Sequence, residues 1–411
     1  MLFRLHGRLF ETLFVAAILF ASAGNSVAAA GDAGVTTPTA YRPSDPLNAV
    51  AFEHFYSLEY DRAAAEFEEI LRRHPDDPFA LNHLTTAVLV RELYRVGALN
   101  SGQYANDSFL VSPSRPADPA VKNRLRQLIE RAETLEEKEL SANPKNADAL
   151  YARGATRAQT ALFTALLDRA WFSALRSAVG ARRDHERVLQ LDPTYTDAKL
   201  VVGTDYYVLG SLPWTVKIAA ALIGLSGSKE KGLQYLSDVA HGKGEAATDA
   251  QIVLCLFLRR EHRYDQALTI VRGLIARYPR NVLFALEEGN LLRAMERNQD
   301  AAATYQRIWQ AGFDGHYPGL PYEMAALSLG DLLRGEKDYA GALFAYEQVS
   351  RAARPSAEVL QKANLEAGQM YDLLSERDPA VRKYEAVVKT DGATPLAAAA
   401  RSYLKQPYRG E

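Results

Sequence analysis

The chain has 411 residues, 48% hydrophobic and 24% charged, a balance that suits a globular protein with a large core and leaves disorder only short segments. Its 48 basic and 50 acidic residues give a net charge of −2, which excludes the broad positive field of a dedicated nucleic-acid binder. A single cysteine, Cys255, excludes an internal disulfide and, inside the apolar run QIVLCLFLRR, reads as a small hydrophobe.

Residues 1–30 read as a secretory signal peptide: Arg4 and Arg8, an apolar run from Leu13 to Gly24, then small residues ending in Ala28, Ala29 and Ala30. Cleavage fits after Ala28 or Ala30, so the expected location is exported, periplasmic or secreted. The alternative, a retained N-terminal membrane anchor, asks a run shorter than the ~20 residues of a spanning helix to cross a bilayer. Residues 31–45 are small, polar and proline-punctuated and read as a flexible leader; 46–411 read as the folded domain.

From there one unit recurs: an apolar-periodic helix, a polar turn and a second periodic helix. EYDRAAAEFEEILRRHP supplies Ala63, Phe67 and Pro75. An insertion at 98–119 follows where a short turn belongs, either a surface loop or, through Ser108 to Val111, an apolar stretch that folds back on a groove. AETLEEKELSANP gives Ala132 and Pro144, and ALYARGATR leads to ARRDHERVLQLDP with Ala181 and Pro193, where Asp184, His185 and Glu186 read as solvated charge. AKLVVGTDYY gives Val202, Gly203 and Tyr206. A second insertion, 211–227, adds the apolar segment Leu212 to Leu225, too short to span a bilayer; burial is expected, since Lys217 is its only charge.

The clearest copies come next. Two of them begin 34 residues apart, at Thr248 and Val282. They carry Leu254, Cys255, Leu258, Ala267 and Pro279, then Gly289, Leu292, Ala301 and Tyr305. A third has Leu329, Gly330, Leu333, Ala342 and Tyr346, and a last has Ala367, Gly368, Tyr371, Ala380 and Tyr384. The closing stretch, about Pro395 to Lys405, predicts one more helix that caps the final pair, with Arg401 and Lys405 toward solvent.

This pattern resembles the tetratricopeptide repeat, with a small residue at positions 8 and 20, large ones at 11 and 24, and proline at 32. The resemblance implies an all-α fold, a right-handed superhelix of about eight helix pairs with a capping helix. The physics is steric: two antiparallel helices approach closely only where a small side chain of one receives a large one of the other. Residues 212–233 also resemble a segment of the eukaryotic inclusion-body-clearance repeat proteins, through Leu212, Pro213, Gly224, Gly227, Gly232 and Leu233.

The sequence carries no nucleophile elbow, dinucleotide fingerprint or phosphate loop, and its eight histidines lack zinc-helix spacing. The expectation is a non-enzymatic interaction scaffold without cofactor or metal that takes a peptide or protein partner and no nucleic acid. The resemblance implies that positions 2, 5, 9 and 12 of each first helix line a concave groove. Position 12 is then Tyr207, Arg259, Arg293 and Arg334, and position 9 is Asn290 and Asp331. Arginines in register either form a carboxylate-binding ladder or a solvated rim. The alternative function is a membrane-surface or lipid-handling protein that uses 212–225.

Overall fold

The structure, a computed structural model, describes residues 42–99, 116–212, 214–222 and 225–410. The signal segment, residues 31–41 of the leader and most of the first insertion, including Ser108 to Val111, lie outside the described residues, as do Pro213 and Gly224. Every regular element described is helical. The chain divides into two compact units, one running to Ile270 and the other from Val271.

In the first unit the helices pair in chain order: α1 (Leu47–Tyr56) with α2 (Tyr60–Arg73), α3 (Pro78–Arg95) with α4 (Pro119–Ala142), and α5 (Ala147–Leu166) with α6 (Trp171–Leu191). A fourth pair joins α7 (Lys199–Ser211) to α9 (Lys229–Ala240), with α8 (Trp214–Leu222) between them in the chain. Then come α10 (Ala247–Arg260) and α11 (Tyr264–Arg277), within which the division falls. The starts are locally encoded. Asp77 and Asp118 each cap a helix that opens on proline, and Asn146 and Ser228 accept from backbone N–H groups three residues on.

Close approach is built on small residues. A Cβ on Gly203 would lie 2.8 Å from Tyr235 Cβ, and one on Gly232 would lie 2.6 Å from the Gly203 carbonyl oxygen, so α7 and α9 touch backbone to backbone there. In α5 and α6 a Cβ on Gly154 would overlap the His185 ring. Ala63, Phe67, Ala267 and Cys255 are all buried.

Two expectations are corrected in this unit. The expected burial of 212–225 holds at Leu212, which is 4% exposed, but not along α8: Trp214 is 73% and Ile218 55% exposed, two apolar residues four apart on one side of the helix that here meet solvent. Asp184 and His185 are not solvated either. His185 fills the position-24 slot against Gly154, its Nδ1 2.8 Å from the Ala181 carbonyl oxygen, and burial lowers its pKa. Asp184 accepts from Arg153 and Arg157, each at 2.6 Å.

The second unit contains α12 (Val282–Ala294) with α13 (Asn298–Phe313), α14 (Glu323–Gly335) with α15 (Tyr339–Gln348), and α16 (Ala357–Leu373) with α17 (Arg377–Thr390). Helix α18 (Pro395–Lys405) closes the series, as its Thr394 cap and first-turn proline predict. Ala400 of α18 joins Leu365, Ala380, Tyr384 and Val387 in one apolar cluster, so the helix covers the face that α16 and α17 leave. Ala301, Tyr305, Ala342, Tyr346, Ala380 and Tyr384 are fully or almost fully buried. Among the described residues no helix is long and apolar enough to cross a membrane.

Candidate functional site

In the second unit the first helices of successive pairs, α12 to α14 and α14 to α16, touch one another, and their shared face gathers the polar groups. Three glycines fix how the second helices meet it. A Cβ on Gly289, Gly330 or Gly368 would overlap the ring of Tyr305, Tyr346 or Tyr384, so each tyrosine lies flat on bare backbone. Each hydroxyl then passes to a polar residue just beyond the glycine. Tyr305 donates to Asn290 Oδ1 at 2.9 Å, Tyr346 to Asp331 Oδ1 at 2.9 Å and Tyr384 to Asp372 Oδ2 at 2.8 Å. Core packing and the polar face are therefore set by the same side chains.

Links between the helices complete the arrangement. Lys362 on α16 donates to Asp331 Oδ2 on α14 at 3.1 Å. Arg334 on α14 pairs with Glu366 on α16, whose carboxyl is raised by burial against the opposing pull of that guanidinium. Arg334 also donates to the Tyr408 phenol oxygen at 3.0 Å. Asp372, buried, accepts from Arg377 at 2.9 and 3.0 Å and from the Tyr408 backbone N–H at 2.8 Å. Gln369, one helical turn before Asp372 and at the same repeat position as Asn290 and Asp331, is buried, and its Oε1 has no hydrogen-bond donor among the described residues.

The predicted site residues divide between the units. Asn290, Arg293, Asp331 and Arg334 belong to the second; Arg293 is exposed, Asn290 and Asp331 are held by tyrosine hydroxyls, and Arg334 is engaged by Glu366 and Tyr408. Tyr207 and Arg259 belong to the first. Tyr207 is core: its ring stacks on Phe257 with centroids 3.8 Å apart, and its hydroxyl donates to Glu261 at 2.8 Å. Arg259 is half-buried on α10.

The first unit's own first-helix face is spanned from within. Tyr56 of α1 donates to Asp249 of α10 at 2.8 Å, both buried, across 193 residues of sequence. Arg42, stacked 4.1 Å over Phe79, reaches Tyr195 at 2.8 Å and Glu245 at 2.5 Å, which fastens the end of the leader. Lys362, Glu366, Gln369 and Asp372 escaped the sequence reading although positions 2, 9 and 12 of the last copy would have pointed to three of them; nothing in the sequence pointed to Tyr408.

The chain is thus an all-α protein of tetratricopeptide-type helix pairs, on the strength of its glycine, alanine and tyrosine packing. No family model matches it, and no curated protein matches it. Among solved structures, it is similar to the APC/C hetero-tetramer Cut9-Hcn1 at 14% identity and a TM-score of 0.42, over 88% of this chain and 55% of that one. It spans, then, little more than half the length of that protein. PilF of Pseudomonas aeruginosa is 15% identical with a TM-score of 0.36, over 62% of this chain and 98% of that one. A tetratricopeptide repeat protein from Parabacteroides merdae is 13% identical with a TM-score of 0.31, over 78% and 97%.

Proposed function

We propose that the protein is an exported, non-enzymatic scaffold that binds an extended peptide or protein segment on the first-helix face of its second unit. The observation that carries this reading is the register on α12, α14 and α16. Asn290, Asp331 and Gln369 recur at one repeat position, two of them locked by tyrosine hydroxyls from behind and the third with a buried, unfilled acceptor. A fixed row of amide and carboxylate acceptors suits the main-chain N–H groups of an extended ligand, while the exposed Arg293 offers forked donors to an acidic side chain or terminal carboxylate. The test is affinity capture from an extract of the source cells with wild type and an Arg293→Glu, Asn290→Ala variant. A partner recovered by the first and lost by the second supports the reading; recovery that ignores the substitutions overturns it.

A second reading has its own observation. Trp214 and Ile218 lie exposed one helical turn apart on α8, with Lys217 exposed beside them. That combination of an aromatic, an aliphatic and a cation is the chemistry of an interfacial helix at an anionic lipid surface.

A further inference from the structure

We infer that the extended segment Gln406–Gly410 is a built-in occupant of the first-helix face of the second unit, which a partner peptide must displace; this rests on the reading of that face as a peptide site. Gln406 leaves α18 in extended backbone, φ −137° and ψ 127°, and Pro407 cannot resume the helix. The chain therefore runs on to place Tyr408 across α14 and α16. Its backbone N–H donates to Asp372 Oδ2 at 2.8 Å, and its phenol oxygen accepts from Arg334 at 3.0 Å. Its ring meets the Tyr403 ring edge to face, centroids 5.3 Å apart. One main-chain bond plus one side-chain anchor is how a short bound peptide holds on.

Two features make the segment displaceable. Gln406, Pro407, Arg409 and Gly410 are exposed, so only Tyr408 is committed to the face. Neither of its anchors depends on it for shape: Asp372 is fixed by Arg377 and Tyr384, and Arg334 by Glu366. Departure of the segment uncovers a formed site. A ligand that replaces it supplies a backbone N–H for Asp372 and a tyrosine phenol or a carboxylate for Arg334, the carboxylate gaining charge assistance. Because the tethered segment competes at a high effective concentration, it sets a threshold that weak ligands fail to pass.

The probe is a fluorescein-labelled peptide of the chain's own last seven residues, Lys-Gln-Pro-Tyr-Arg-Gly-Glu, followed by fluorescence anisotropy. A chain ending at Lys405 is expected to bind it saturably, and the full chain at least about tenfold more weakly. The full-length Tyr408→Ala variant, which opens the face without shortening the chain, is expected to bind it as well, and a peptide with alanine for tyrosine to bind neither. Absence of binding to both opened chains at peptide up to about 1 mM, or equal binding to opened and full chains, overturns the inference. The scaffold reading is judged separately, by the Arg293-sensitive partner, so either can fail while the other stands.

Discussion

Tyr346 lies flat on Gly330 and sends its hydroxyl past that glycine to Asp331 Oδ1, 2.9 Å away. One tyrosine thereby closes the core between α14 and α15 and holds a carboxylate on the polar face. The two jobs separate by substitution. Gly330→Ala forces a methyl group into the ring and is expected to destabilise the chain by about 1–3 kcal/mol, the usual cost of overpacking. Tyr346→Phe keeps the ring and loses only the bond to a charged acceptor, expected to cost roughly 1–2 kcal/mol at this buried position. Urea unfolding followed by circular dichroism measures both. A Gly330→Ala chain as stable as wild type would show that the pair has room to spare.

Glu136 gives a pH prediction. Its carboxyl is fully buried in α4, accepts from Thr156 at 2.5 Å, and is raised from 4.5 to about 7, chiefly by burial. A raised carboxyl binds its proton more tightly in the folded than in the unfolded chain. Its stabilising contribution is therefore complete below about pH 4.5 and is lost as pH rises toward 7. Glu136→Gln keeps the shape without the titration, so its stability relative to wild type is expected to improve on going from pH 5 to pH 8, by on the order of 1–3 kcal/mol. The buried His185 works in the opposite sense, since burial lowers its pKa and acid must charge it on unfolding, but it is common to both chains and drops out of the difference. A wild-type-to-variant difference that stays flat between pH 5 and pH 8 would refute the assignment.

Helix pairing was legible in the sequence because it depends on residue size at fixed spacing. Gly289, Gly330 and Gly368 facing Tyr305, Tyr346 and Tyr384 could be read from position alone, and α18 was expected as the helix that caps the open face of the last pair. His185 was misread because its neighbours in the chain were weighed instead of its repeat slot, which set it against Gly154. The exposure of Trp214 and Ile218 was not legible, since periodicity reveals an apolar stripe without saying whether a neighbour covers it. The engagement of Arg334 was hidden for another reason: Tyr408 arrives from 74 residues away, and no local pattern encodes so distant a contact.

The α8 stripe makes a prediction for the lipid-surface reading. Sedimentation with vesicles of phosphatidylcholine and phosphatidylglycerol is expected to carry down the wild-type chain, and a Trp214→Ser, Ile218→Ser variant is expected to remain in the supernatant, with binding weakened by salt through Lys217. Both residues are mainly exposed, so the variant should unfold at the wild-type temperature. A wild-type chain that stays in solution at low salt removes the reading.

The last prediction concerns where the protein works. Arg4, Arg8, the run from Leu13 to Gly24 and the small residues through Ala30 are expected to direct export and then be removed, leaving Ala29 or Gly31 as the first residue. Intact-mass measurement of the protein purified from its source, together with fractionation, checks this. A mass that still includes Met1, recovered with membranes, would turn the apolar run into an anchor. The first-helix face of the second unit would be unchanged by that outcome, because every residue that builds it lies after Val271. Its partner would then have to sit within reach of the membrane surface.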